Sequence, residues 1–460
     1  MTIPGKEYEP ELRSMNRLAD AEQETAVGTE KGQASFPQNQ YALIGAALVM
    51  VLLGTGCGKG GSGAKPPAEV EAKLAAIRQA GEPVTLTELD ASYVEPPAGE
   101  NAAPLYAEAF AALASEDGHS PSFVEKNQKA LELLHRAAAR TQCRFPTDLK
   151  AGANALLPHV PKIKPCAQLL AQDAALNAMK GRSDLATQSV LDCLRLARSL
   201  EAEPTIVSQL TRIAAEQVAA AALEQALSRR AFPPAELEKM QSAFEEAEKG
   251  SVGTFARAFV GERCTIIDLF QGPPRELSKA LAAMGQSLPV SSVEAYRKST
   301  TNQADFAFCL DQFRSLIAAA KLPFPECLAG ASEWTAQISD ARSKGYMVAP
   351  GMLLNLAKTL ERAAARLSEL REGQTAIAVE RYRVAHGTAL PVGLNALVPQ
   401  YLAAVPADPF DGKPLRYKKL TPKGFVIYGV GPDRQDDGGL ESKSGSAPED
   451  KFDLVLTVRR

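Results

Sequence analysis

From Pro67 to about Leu370, apolar residues recur at three- and four-residue steps in a text crowded with Ala, Leu, Glu, Gln and Arg and nearly free of β-branched runs. That period is the mark of amphipathic α-helix. A long stretch of it can bury its apolar stripes only against other helices, which predicts a mainly α fold built as an antiparallel helical array, repeat-like or a plain bundle. Candidate helices span about 68–80, 102–114, 122–140, 163–179, 184–200 and 204–227. They break where punctuation stands: Phe145-Pro146, Leu157-Pro158, Lys180-Gly181-Arg182, Glu203-Pro204 and Phe232-Pro233-Pro234. Asn101 is placed to cap the helix that carries Leu105, Tyr106, Ala109, Phe110 and Leu113 on one face.

Residues 171–227 are the most regular part, helices joined by turns short enough to force antiparallel neighbours. The turn Lys180-Gly181-Arg182-Ser183-Asp184-Leu185-Ala186 resembles a tetratricopeptide-type helical repeat, although no text recurs at the roughly 34-residue period of that family. Stacked layers of this kind present a concave surface to a protein or peptide partner, whereas a bundle has no such groove. Within the helical part, Gly261-Glu262-Arg263-Cys264 and Asp268 form the densest polar group in an apolar stretch. Adjacent positions do not face each other on a helix, so Glu262 and Arg263 are expected to meet different neighbours or solvent.

Composition removes several function classes. Fifty-one basic against fifty-four acidic residues leave a formal net charge of −3, and no basic stripe is interleaved with aromatics. Nucleic acid is therefore not an expected partner. The four histidines, His119, His135, His159 and His386, are scattered without a His-Glu-x-x-His run, so no histidine zinc site or catalytic triad is predicted.

The N-terminal region carries an address. Residues 1–40 read as a disordered or removed leader. The apolar run 41–57 ends in Leu52-Leu53-Gly54-Thr55-Gly56-Cys57, and 58–67 is a Gly/Ser/Pro linker. Small residues directly before a Cys resemble the lipobox of bacterial lipoproteins, which implies lipidation at Cys57 and a membrane-anchored protein with its bulk outside the cytoplasm. An uncleaved membrane helix and a buried core helix are the other readings of this run, which at about 16 residues is slightly shorter than the roughly 20 needed to span a bilayer. The other six cysteines show no Cys-x-x-Cys spacing. Disulfides are allowed in an exported protein, with Cys143 and Cys166 or Cys309 and Cys327 nearest in sequence, but buried free thiols on helix faces fit equally.

The last part of the chain, 352–460, departs from the helical text. A long helix over 352–385 leads to Asp408-Pro409-Phe410-Asp411-Gly412-Lys413 and to three strands, at 414–419, 425–430 and 452–458. Gly431-Pro432-Asp433-Arg434-Gln435-Asp436-Asp437-Gly438-Gly439 forms an acidic loop before the last strand. The order resembles the C-terminal domain of type II secretion major pseudopilins, the G family, over about residues 370–458. It implies a small α+β domain with a three-stranded antiparallel sheet following the helical domain of 68–351. The resemblance also implies calcium in the acidic loop, with oxygen ligands from Asp433, Asp436 or Asp437, and Asp453, supplemented by main-chain carbonyls. Such a loop bends several oxygens round one centre, as calcium requires, although a solvated turn held by Asx hydrogen bonds accounts for the same residues.

No run in the chain matches a catalytic motif. The expected function is that of a non-enzymatic, membrane-tethered envelope protein with a helical scaffold or binding domain and a pseudopilin-like end. The competing expectations are an envelope hydrolase using carboxylates such as Glu262 and Asp268, and an accessory component of a secretion system.

Overall fold

The computed structural model describes residues 68–460 except 98, 115–121, 252, 421–422 and 441–451. Cys57, the apolar run 41–57, the leader and the linker lie outside the described residues. Among the described residues no helix is long and apolar enough to cross a membrane.

The chain is mainly helical, with one small antiparallel sheet near its C-terminus. In order, the helices are α1 (Ala68–Gln79), α2 (Leu86–Ser92), α3 (Ala103–Ala112), α4 (Ser122–Lys126), α5 (Gln128–Ala138), α6 (Val160–Met179), α7 (Ser183–Arg198), α8 (Ile206–Arg229), α9 (Pro234–Lys249) and α10 (Thr254–Gln271). They continue as α11 (Pro274–Ala283), α12 (Val290–Arg297), α13 (Thr300–Ala319), α14 (Ala331–Ser343), α15 (Val348–Met352) and α16 (Ala357–Ala385). The sheet follows as β1 (Arg416–Leu420), β2 (Gly424–Gly429) and β3 (Leu454–Val458).

Local chemistry sets the ends of these elements. Thr85 and Glu88 close a reciprocal capping box on α2, the Glu88 amide donating to Thr85 Oγ1 at 3.1 Å and the Thr85 amide to Glu88 Oε2 at 3.1 Å. Thr205 accepts from the Ser208 amide at the start of α8, and Ser299 from the Asn302 amide at the start of α13. Asn101 Oδ1 accepts from the Ala103 and Arg144 amides, both at 3.0 Å, so one side chain starts α3 and ties it to the chain beyond α5.

α6, α7 and α8 pack on one another as the short connections require. α16 lies against α8 and α9 on one side and against β2 and β3 on the other. The sheet order is β1-β2-β3 with both pairs antiparallel, Arg416 opposite Tyr428 and Phe425 opposite Val458. β2 is buried along its whole length, as the middle strand under a helix must be.

Besides a small apolar cluster of Leu86, Leu89, Tyr93, Leu149 and Cys264, two large ones hold the described body together, and both take residues from before and after position 352. The first joins Leu134, Leu169, Leu223 and Phe244 to Ile377, Phe425 and Leu456. The second joins Val70, Phe259, Phe313 and Trp334 to Leu360, Phe410 and Val430. α8 and α16 run through both: Ile206 and Ile213 belong to the second and Leu223 and Leu227 to the first, while Leu360 and Ala364 belong to the second and Ile377 and Val379 to the first. Gly373 makes the closest helix packing possible, since a Cβ there would stand 2.7 Å from the Phe244 ring on α9.

The six described cysteines are free thiols, all buried except the half-buried Cys143. Burial pushes the thiols of Cys166, Cys264 and Cys327 up to about 12, so they are packing groups rather than nucleophiles.

Candidate functional sites: the acidic loop and the Glu262 cavity

The acidic loop, 431–439, leaves β2 and is hydrogen-bonded to Asp453 beside β3. Asp453, on the approach to β3, is buried, and its two oxygens accept from the Asp437 amide at 3.3 Å and the Gly439 amide at 2.5 Å. Burial raises the Asp453 carboxyl, and the charges of Asp436 and Asp437 raise it further against the pull of those amides. Asp433 and Asp436 each hold a turn of their own, accepting from the Gln435 and Gly438 amides at 3.0 Å.

Beside the loop stands Arg416 of β1, which links three of the tail's carboxylates. Its Nη1 donates to Asp408 Oδ2 at 2.8 Å, Nη2 reaches Asp411, and Nε lies 3.4 Å from Asp436 Oδ2. Asp408 is fully buried and also accepts from the Phe410 amide at 2.9 Å and the Val430 amide at 2.7 Å. The Asp408-to-Lys413 turn is thereby clamped to the end of β2. The sequence shows the turn and the loop separately; Arg416 lies only 8 and 5 positions from Asp408 and Asp411, but its link to Asp436 of the loop exists only once β1 and β2 pair.

The four loop carboxylates are therefore close in the fold, but they are not gathered round one point. Among the described residues no group of three or more His, Cys, Asp or Glu stands in an arrangement that could hold a metal ion. Two oxygens nevertheless remain buried without a hydrogen-bond donor, Asp433 Oδ2 and Asp437 Oδ2. The donor set is all oxygen, as calcium requires, and these two unpartnered atoms are the part of the loop that a cation would satisfy.

The second site lies in the helical part. The loop 203–205 and the kinked segment 149–154 meet α10 and α11 around a cavity of about 110 Å³. Its wall is mostly apolar, formed by side chains such as Leu89, Leu149, Leu157, Met284 and Met352, with the charged Glu262, Glu276 and Lys279 among them. Gly261 allows the wall to close: a Cβ at that position would stand 1.9 Å from the Pro204 carbonyl oxygen. Glu262 Oε1 accepts from the Ile206 amide, the first of α8, at 3.3 Å. Burial raises the Glu262 carboxyl, opposed by that one amide.

Glu276, another lining residue, is also partly buried, but hydrogen bonds from Lys279 and from the exposed Asn154 and the charge of Lys279 hold its carboxyl below the usual range. Arg263 faces elsewhere, donating to Glu82 Oε2 at 2.7 Å and to the Pro83 carbonyl at 3.0 Å. Asp268 does not line the cavity; burial and the Glu276 charge raise it while Arg297 opposes them. Of the two carboxylates named from the sequence, Glu262 alone faces the cavity.

Two histidines serve a purpose that their spacing in the chain hides. His135 Nδ1 lies 2.7 Å from Asp192 Oδ2, and His159 Nε2 lies 2.9 Å from Glu203 Oε2, with both carboxylates fully buried. Each pair spans two elements and keeps a buried acid partnered. Comparison with protein-family models, with curated proteins and with solved structures returns no match for this chain.

Proposed function

We propose that this chain is a non-enzymatic cell-envelope protein, tethered to a membrane through 41–57 with Cys57 as the lipidated residue. Its helical part is a scaffold for a protein or peptide partner, and its last hundred or so residues act as a module like the C-terminal domain of the type II secretion major pseudopilins. The observation that supports the module is the built order of α16, the clamped Asp408 turn, the β1-β2-β3 sheet, and an acidic loop leaving β2 and closing on Asp453. Mass spectrometry of full-length protein from the membrane fraction tests the tether. A chain starting at a diacylglyceryl Cys57 is expected, and an intact Met1 overturns it.

Calcium in the acidic loop is part of the same proposal. Asp433 and Asp437 would supply their donor-less oxygens and Asp453 its buried carboxylate, with main-chain carbonyls completing the shell; the ion would offset the mutual repulsion of these acids. Calorimetric titration of the purified full-length protein with calcium chloride is expected to show binding that Asp437→Asn weakens. Absence of heat at millimolar calcium removes the ion from the proposal and leaves the tether standing.

A further inference from the structure

The Glu262 cavity belongs to none of the above. It is mostly apolar, it is large enough for a ligand fragment, and it holds a carboxylate, Glu262, that forms no salt bridge among the described residues. Arg263, its neighbour in the chain, faces away and pairs with Glu82, and Lys279, which also lines the cavity, pairs with Glu276 at 3.1 Å. The partner that Glu262 does have, the Ile206 amide at 3.3 Å, is at the long end of the hydrogen-bond range. A carboxylate kept in an apolar wall without a counter-charge is costly, and a proton or a cation from outside is what relieves that cost.

We infer that this cavity is a binding site for a small primary amine carrying a short apolar tail, the ammonium pairing with Glu262 and the tail filling the space among Leu89, Leu149, Leu157, Met284 and Met352. Three features select this ligand. Size comes first: about 110 Å³ is somewhat less than the roughly 150 Å³ of an engineered cavity that takes benzene, so the tail has about four or five carbons. Charge comes second: Lys279 and Glu276 in the wall neutralise each other, so an anion would meet the unbalanced Glu262 and a neutral head would leave its charge unpaired. Shape comes third. Gly261 lets the Pro204 carbonyl approach α10 so closely that the α8 start, and with it the Ile206 amide, is fixed against Glu262. The one main-chain donor beside the carboxylate is thus set by the packing of α8 on α10.

The test is calorimetric titration of the purified full-length protein with n-pentylamine, with n-pentanol as the uncharged probe of equal length. The amine is expected to bind about tenfold or more tightly than the alcohol, the discrimination of a charge-assisted hydrogen bond in a mostly apolar site. Glu262→Gln should bring the two affinities together while leaving alcohol binding in place. Amine binding should also weaken as the pH falls and Glu262 takes up a proton. Equal affinity for amine and alcohol in the parent, or an amine preference that survives Glu262→Gln, overturns the inference. Should Glu262→Gln prove poorly folded, Ala283→Phe at the partly exposed end of α11 fills the cavity without touching the carboxylate. It is expected to abolish binding of both probes; amine binding unchanged in that variant places the amine elsewhere and overturns the inference.

Discussion

Glu369 on α16 has one oxygen accepting from Gln217 at 3.0 Å and the other buried with no donor. Burial lifts its carboxyl from 4.5 to about 7, against the pull of Gln217 and the Arg366 charge. A folded-state value above the unfolded one means that the folded protein holds the extra proton. Its contribution to stability is therefore fully present below the unfolded value of 4.5 and is lost as pH rises through about 7. Glu369→Gln keeps an acceptor for Gln217 and removes the charge. The variant should melt close to the parent at pH 4 and above it at pH 8, by at most about 3 kcal/mol. Thermal melts at the two pH values check this, and a gain that is equal at both would show that the charge is not what Glu369 contributes. Glu216 and Arg366, paired at 2.9 Å and both buried, sit one turn away on the same interface. Removing either partner alone is the more damaging change, because it strands a buried charge.

At the scale of elements, the parts legible in the sequence are those decided by neighbours a few residues away. The expectations at 163–179, 184–200 and 204–227 correspond to α6, α7 and α8, because apolar periodicity and Gly or Pro punctuation are local signals. The three strands and their order were legible for the same reason. What joins elements was not. Arg416 serves carboxylates of the turn and the loop, and Glu262, visible only as one of a dense polar group, becomes a cavity wall through the amide of Ile206, which lies 56 positions away. His159 and Glu203, 44 positions apart, are paired only by the fold. Gly261 shows how demanding such a junction is, since its missing Cβ is replaced by a main-chain oxygen that cannot move aside without shifting the start of α8. Gly261→Ala is therefore expected to cost about 2 kcal/mol or more despite the better helix propensity of Ala, by the overpacking route. A denaturation midpoint at or above that of the parent would mean that the α8–α10 contact is slack.

Across the whole molecule, the two large apolar clusters are not independent bodies, because α8 and α16 each contribute one half to the first and one half to the second. Losing either cluster leaves half of both long helices with an exposed apolar stripe, and an isolated helical half is marginal in water. The same helices carry the buried Arg366–Glu216 pair, so separating the clusters would also expose part of a charge network. These couplings predict that the described body unfolds in one cooperative transition despite a length at which chains commonly melt in parts. The chain has a single tryptophan, Trp334, which is buried in the second cluster, whereas the far-ultraviolet circular dichroism signal sums over every helix. In a urea titration the tryptophan fluorescence and the circular dichroism curves should superimpose. A tryptophan transition that precedes the loss of helix would mean that the second cluster opens alone, and that α8 and α16 can each fray at one end while the other remains folded.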